Sequence, residues 1–400
     1  MKIGIISNLY PPYVRGGAEQ VVVRTVEALT EAGHDVFVIT TRPSKKKGVI
    51  RDKVSTERVY RFFPWNVYYT LKDYKFPWLI RLVWHMIDAF GQSGARHVSR
   101  ILMQEKPDVV ITHNLKGIGL TIPRAIQASG IPHVHVVHDL QLVVPSGLLF
   151  FGKEKRPRLF ETPYKIYRAI CRRNFARPDL VIYPSKYLSD TYHRYGFFRN
   201  AKTIVMPNPA PTFPEVARHD TDENILKLLF VGQLGSHKGV RFLMEAFDTI
   251  PGEKRLIIAG EGKRANDVKQ KANHDKRIVY LGYISVDQLL NCFGIADAVV
   301  VPSLCYENSP TVIYEALQAG VPVLASDIGG VGELVENGVN GYLFTPGSAK
   351  AFLQAVEKLK TCKSEKCMTP EQIKKTVAAY AMPNYTRELV RLLDETIKSR

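Results

Sequence analysis

Two carboxylates, Glu307 and Glu315, stand with seven residues between them in the segment YENSPTVIYEALQAG (306–320). Such a pair has two chemistries open to it. One carboxyl can act as general acid while the other acts as base. Alternatively, each carboxylate can accept two hydrogen bonds from a vicinal diol. The residues between them favour a helix start. Ser309 fits an N-cap and Pro310 the first helical position. Val312, Ile313, Ala316 and Leu317 form one apolar face, Gly320 ends the helix, and Pro322 lies just beyond. Glu307 therefore precedes the helix and Glu315 sits on its second turn. A helix start offers unpaired N–H groups and a partial charge of about half a unit, which suits a diphosphate. A phosphate seat between two diol acceptors suits a nucleotide sugar, although other polyols also fit.

Two further segments have the form of phosphate loops. NLYPPYVRGGAEQ (8–20) follows the strand-like KIGIIS (2–7) and opens a helix at Gly16-Gly17. Paired glycines there let backbone N–H groups come close to a phosphate. VGQLGSHKGV (231–240) occupies the same position in the second half. Gly232 ends its strand, and Lys238-Gly239 opens its helix. Lys238 can neutralise a diphosphate there; taken alone it reads equally as a solvated lysine. No G-x4-G-K-[ST] string occurs, so this is not a P-loop. His113, His133 and His135 lie on or beside apolar strands and read as packing residues or as supports behind the site rather than as ligands, and His138 shares that pattern. Asp139 either orients His138 or begins the next loop. Asp327 and Glu333 read as a turn and a helix residue.

These segments need a frame that puts strand ends together. Short apolar runs alternate with helix-period stretches throughout. Strands are expected at 2–7, 35–40, 108–113, 133–138, 179–184 and 203–207, with helices at 17–33, 77–104, 119–129 and 159–176. Residues 43–75 form a less regular aromatic and basic stretch. PNPAPTFPEVARHDTDEN (207–224), with four prolines, reads as a linker. The alternation then restarts, with strands at 226–232, 255–260, 277–281, 298–302 and 322–326. The tail (371–400) is helical by pattern, with Pro383 expected to break it. This is an α/β chain of two doubly wound, Rossmann-like domains with parallel sheets. Their expected bounds are 1–208 together with 383–400, and 209–382.

Composition narrows the partners. The chain has 400 residues, 45% of them hydrophobic, and a formal charge of +17. Residues 1–210 hold 32 Lys/Arg against 15 Asp/Glu, whereas the remainder holds 23 of each. All the excess thus lies in the first half, which calls for an anionic partner there. Five cysteines show no metal-ligand or paired spacing, Cys362 and Cys367 included, which fits a reducing compartment. No apolar run reaches the ~20 residues of a spanning helix, and the N-terminus reads as a strand, not a signal peptide. A cytoplasmic protein, peripheral at the inner face of the membrane, is the expectation.

In their order and spacing these segments resemble family 4 of the retaining glycosyltransferases, whose fold, called GT-B, sets two Rossmann-like domains facing across a cleft. The resemblance runs nearly the whole length. It rests on the Gly16-Gly17 loop, THN (112–114), VVHDL (136–140), MPNP (206–209) and VGQLGSHKGV. It continues through AGEG (259–262), LGYIS (281–285), the E-x7-E segment and ASDIGGVGELV (325–335). It implies that Gly17, with Gly16, approaches the donor phosphate and that His138 is the active-site histidine near the transferred sugar. Lys238 would stabilise the leaving diphosphate. Glu307 would hold sugar hydroxyls and Glu315 the ribose diol. Tyr283 and Ile284 would read the base through their backbone, while Asn308, Ser309 and Thr311 line the phosphate pocket. Gln233 replaces an arginine common in the family, which removes one positive charge beside the phosphates. The first domain would bind the acceptor and the second the nucleotide sugar, such as a UDP-sugar.

The implied reaction moves a sugar from a nucleoside diphosphate to a hydroxyl with retention, by front-face substitution. The one Asp-x-Asp string, Asp220-Thr221-Asp222, lies in the linker segment and not at a strand end, so neither metal nor other cofactor is expected. A glycan or lipid-linked acceptor in cell-surface polysaccharide or glycolipid synthesis fits the basic first half. RPSKKKGVIRDK (42–53), RFFPWNVYYTLKDYKFPW (61–78) and LQLVVPSGLLFFGKEKRPR (140–158) fit contact with anionic lipid. Two alternatives share the fold: a nucleotide-sugar epimerase, and a glycosyltransferase acting on nucleic acid. The second lacks any nucleic-acid recognition motif, and nucleic acid is not expected as a partner.

Overall fold

The computed structural model describes the whole chain except residues 45–47, 55, 56, 155–157, 176 and 217–224. The chain forms two compact units. The first comprises Met1–Leu148, Arg156–Pro207 and Pro383–Arg400, and the second Leu149–Lys155 and Asn208–Met382. Among the described residues no helix is long and apolar enough to cross a membrane.

The first unit is built on strands β1 (Lys2–Ile6), β2 (Asp35–Thr41), β3 (Ile50–Val54), β4 (Glu57–Phe62), β5 (Val109–Thr112), β6 (His133–Val136), β7 (Leu180–Tyr183) and β8 (Lys202–Val205). Their order in the sheet is β3-β4-β2-β1-β5-β6-β7-β8. All pairings are parallel except β3 with β4. Ile3, Ile5 and Ile6 on β1, and Val109 to Ile111 on β5, are fully buried, as strands covered on both faces require. The helix Gly17–Glu31 buries Val21, Val22, Thr25, Val26 and Leu29, the face its apolar spacing predicts.

Two elements depart from the sequence expectation. The stretch 43–75 contains the hairpin β3–β4, whose charged strands mask the apolar alternation. In it Arg61 is buried, with its guanidinium on the carbonyls of Tyr10 and Pro11 and on Asp52. The helix at 77–104 is two, Trp78–Phe90 and Ser93–Glu105. The first closes on Gly91, whose N–H reaches the Ile87 carbonyl (2.7 Å) and whose own carbonyl accepts from Thr121 Oγ1 (2.8 Å). In the tail, Pro383 lies in the first turn of the helix Met382–Lys398, after the helix Pro370–Val377. The tail does divide into two helices, with the break falling just before Pro383, which starts the second because a missing N–H costs nothing there.

The second unit carries β9 (Leu226–Val231), β10 (Lys254–Ala259), β11 (Ile278–Gly282), β12 (Ala298–Val301), β13 (Val323–Ser326) and β14 (Gly341–Phe344) in the order β11-β10-β9-β12-β13-β14, all parallel. The short edge strand β14 escapes the sequence pattern. Cys362 and Cys367 are joined in a disulfide, which corrects their reading as incidental. Cys171, Cys292 and Cys305 are free and buried.

Both sheets reverse their order at one place. Chain order runs outward from β1 to β2 on one side and from β5 onward on the other; β9 and β12 are the corresponding pair in the second sheet. Such reversals leave an open crevice at the carboxyl ends of the strands, where ligands bind in open α/β sheets.

Candidate active site

In the second unit the loops that follow β9 and β12 flank the reversal. The β9 loop ends in a single turn of 3-10 helix, Ser236–Lys238, and the helix Val240–Asp248 begins after Gly239. Gly239 has φ of +71°, and a Cβ there would lie 1.9 Å from the Pro302 carbonyl oxygen. Only glycine allows the two loops to touch this closely. The Leu304 N–H then bonds to the His237 carbonyl (2.8 Å).

That contact brings Lys238 to Glu307. Lys238 Nζ donates to Glu307 Oε1 at 2.7 Å, and Ser303 Oγ donates to the same oxygen at 2.7 Å. The Glu307 side chain is 13% exposed and that of Lys238 28%. Burial opposes the charge on each, but the partner outweighs it. The Glu307 carboxyl is held below its usual range by Lys238 and Ser303, and the Lys238 ammonium above its own by Glu307. Sequence reasoning assigned these residues separate duties and missed Ser303. The only signal for Ser303 is its place at the end of the β12 run, four residues before Glu307.

The backbone of Glu307 is fixed from β13. Gly329 has φ of +66°, and a Cβ would lie 2.0 Å from the Glu307 carbonyl oxygen, which accepts the Gly330 N–H at 2.8 Å. This gives the glycine pair of ASDIGGVGELV a structural purpose. The following helix spans Thr311–Gln318 with Pro310 as its N-cap residue, one position later than the sequence suggests. Ser309 does not cap it. Its hydroxyl shares a hydrogen bond with the Tyr314 hydroxyl (2.7 Å), and its carbonyl accepts from Asn208 Nδ2 (3.2 Å). Asn308, Ser309 and Thr311 are half-buried at this helix start, and Glu315 is half-buried on the second turn. Gln233 is exposed in the β9 loop. Tyr283 is also exposed and Ile284 half-buried, between β11 and a helix that Ser285 caps through the Gln288 N–H (3.3 Å).

In the first unit the reversal lies between β1 and β5. Gly16 is the extended N-cap residue of the helix that Gly17 begins. The buried Glu19 folds its carboxylate back onto the Gly16 N–H (2.7 Å). Burial raises the Glu19 pKa against the pull of that N–H. After β5 and β6 come His113 and His138. The Nδ1 of His113 lies 2.8 Å from Nε2 of His138, with the rings 22° from coplanar.

This geometry assigns the proton. His113 Nε2 is buried and has no hydrogen-bond partner among the described residues. A buried orphan N–H is costlier than an under-used acceptor, so Nε2 carries no proton and Nδ1–H donates to His138. His138 then holds its own proton on Nδ1. Burial brings its pKa down to about 4, and burial with the neighbouring His138 and His135 holds His113 well below the usual range. Both rings are neutral near pH 7. His113, read as a packing residue or a support behind the site, is the direct partner of His138.

His133 and His135 share the Thr112 hydroxyl (2.7 and 2.9 Å) and are core residues. Asp139 accepts from the Gln141 N–H (2.7 Å) and from Asn114 Nδ2 (3.4 Å), so it shapes the next loop. Its pKa is raised to about 6 by burial.

Comparison with known proteins gives the family and the fold. The profile described as Glycosyltransferase Family 4 matches residues 15–212, and that described as Glycosyl transferases group 1 matches residues 212–378. The chain is a glycosyltransferase of the family 4 type. It is 29% identical over 338 residues to an uncharacterised 42.6 kDa protein in the cps region of Klebsiella pneumoniae, covering 84% of this chain and 87% of that one. It is 28% identical over 282 residues to the Escherichia coli UDP-Gal:alpha-D-GlcNAc-diphosphoundecaprenol alpha-1,3-galactosyltransferase, covering 64% and 67%. Among solved structures, Anabaena HepE in complex with UDP superposes with a TM-score of 0.69 at 18% identity, covering 99% of this chain and 100% of that one. The fold of this glycosyltransferase is GT-B, as the ordered motifs imply.

Proposed function

We propose that this glycosyltransferase moves a hexosyl group from a nucleoside diphosphate sugar, such as a UDP-sugar, to a hydroxyl of a glycan or lipid-linked acceptor, with retention of configuration. The observation that carries the reading is the Lys238–Glu307 pair, set by two glycine contacts beside the start of the helix Thr311–Gln318. The UDP complex of HepE and the lipid-diphosphate acceptor named for the E. coli relative support the donor and acceptor classes.

In this reading Glu307 holds sugar hydroxyls and Glu315 the ribose diol. Asn308, Ser309 and Thr311 line the diphosphate seat at the helix start. Tyr283 and Ile284 border the base, with Gln233 beside the phosphates. As the glycosidic bond breaks, negative charge grows on the diphosphate. Lys238 shifts part of its hydrogen bonding from Glu307 to that charge, and the helix-terminal N–H groups share it. Gly16 and Gly17 present backbone N–H groups to the donor phosphate in the first unit, where the Glu19 carboxylate must release Gly16. His138 is neutral, with its proton on Nδ1, and serves the transferred sugar as a hydrogen-bonding group, not as a cation. The departing diphosphate takes the acceptor proton on the same face, which retains the anomeric configuration. Lys238 and the helix start do the work of a metal, so no metal is required. The acceptor is met at the inner face of an anionic membrane.

The test is an NMR assay of product anomer with a panel of nucleotide sugars and a lipid-diphosphate acceptor. Retention with acceptor-dependent release of nucleoside diphosphate, unchanged by EDTA, is the expected result. An inverted product, or release of an epimerised donor without transfer, overturns the reading.

A further inference from the structure

The helix Trp78–Phe90 is amphipathic the wrong way round. Its inward side carries Trp84 and Asp88. Asp88 is buried, and both its carboxylate oxygens lie 3.0 Å from the Gly117 N–H. Trp84 donates its indole N–H to the Tyr68 carbonyl (2.8 Å). At 100° per residue, Trp78, Leu79, Leu82, Val83, Met86 and Phe90 share the opposite arc. All are at least half exposed, Trp78 at 70% and Leu79 at 58%. No charged residue interrupts that arc. Such a contiguous apolar face marks an interaction surface, unlike a single exposed leucine.

The surroundings extend the face and surround it with positive charge. Asn66 Nδ2 bonds to the Trp84 carbonyl (3.2 Å) and the Trp65 N–H to Ser93 Oγ (3.3 Å), which lays their loop on this helix with Trp65 72% exposed. Exposed Lys72 and Lys75 lie on the turn Thr70–Lys75 that leads into the helix. Exposed Arg173 lies on the helix Arg158–Phe175, whose neighbouring Asn174 ties to the Ala89 carbonyl (2.8 Å). The aromatics of 61–78 divide: Phe62, Tyr68 and Tyr69 are core, while Trp65 and Trp78 face outward.

We infer that the outer face of the helix Trp78–Phe90, with Trp65, seats in the headgroup region of an anionic bilayer while the surrounding lysines and arginine meet lipid phosphates. Tryptophan suits such a boundary, and basic side chains gain from the negative surface. A second copy of the chain fits less well, because two identical basic rims would face each other. The inference deepens the lipid-linked acceptor reading and rests on it, by naming the surface that brings the enzyme to its acceptor.

The experiment is sedimentation of the full chain with phosphatidylcholine vesicles, with or without phosphatidylglycerol, at low and high salt. Emission from a Trp65→Phe variant serves as a second readout, because of the three tryptophans only Trp78 then remains exposed. Binding to the phosphatidylglycerol vesicles with a blue shift of Trp78 is expected. It should weaken at high salt and fall by about tenfold or more in Leu82→Glu/Met86→Glu. That variant changes only exposed positions and should keep its melting temperature and its transfer to a water-soluble acceptor. Unbound protein at low salt, an unshifted Trp78, or equal binding by the variant overturns the inference. So does a concentration-dependent dimer in analytical ultracentrifugation that the variant abolishes, which assigns the face to a second copy. Transfer to the soluble acceptor is measured without vesicles, so failure of the membrane contact is distinct from failure of the proposed reaction.

Discussion

The two sheets reverse at equivalent places yet equip those places differently. The second unit sets a charged pair there, Lys238 with Glu307 at 2.7 Å. The first sets a neutral pair, His113 with His138 at 2.8 Å. Both are at least half-buried, and burial acts against charge at each. In the second unit opposite charges compensate one another and stay ionised. In the first, burial disfavours a proton on both rings, and His113 is opposed further by the neighbouring His138 and His135, so the rings stay unprotonated. The same topology thus carries an ionised pair at one reversal and an uncharged pair at the other.

The most damaging test removes the charged pair. Glu307→Ala or Lys238→Ala should each lower kcat by about 1000-fold, with the melting curve near that of the parent. The double variant should cost little more than the worse single one, since the two act as a unit. Additive losses in transfer assays would break the pairing. Next in size is the support. Gly239→Ala, at φ of +71° and facing the Pro302 carbonyl, should destabilise by about 3 kcal/mol in urea titrations, and activity should fall with it.

The core histidines behind the neutral pair make a prediction about acid. The folded pKa of His133 is lowered to about 4 by burial. Its contribution is therefore intact above the unfolded value near 6.5 and is lost as pH falls from there toward 4. Urea titrations of the parent and His133→Gln should show the parent's advantage shrinking by about 2 kcal/mol between pH 7 and pH 5. A constant difference would mean that the ring takes up its proton alike in the folded and unfolded chain. The smallest effect belongs to His113→Gln. Its loss should lower kcat about tenfold with KM little changed, and free His138 to switch tautomer. An unchanged 15N signature of the His138 ring would remove His113 from a positioning role.

The sequence discloses strand and helix periods readily, because buried parallel strands are unbroken apolar runs. Charged edge strands such as β3 hide among basic residues, and β14 at the other sheet's edge is only partly buried. At the site, Glu307, Lys238 and the glycine motifs are visible because they lie beside strand ends. The contact between them is not, since it depends on two loops 69 residues apart touching at Gly239. His113 and His138 look alike in sequence, and only their distance shows that they form a pair. The inverted helix Trp78–Phe90 has an ordinary amphipathic pattern; which side faces out is decided by Asp88 binding Gly117, a partner from a distant loop.

The last helix, Met382–Lys398, belongs to the first unit. Tyr385 is buried there with its hydroxyl 3.4 Å from Thr25 Oγ1, Glu395 meets Lys202, and Arg400 reaches Asp179. During synthesis the ribosome makes these residues only after the whole second unit has been made. The unit begun first is therefore finished last, and its flank beside Thr25 stays uncovered while the other half folds. A nascent chain halted before Met382 exposes that flank to chaperones, although every strand of both sheets has already been made.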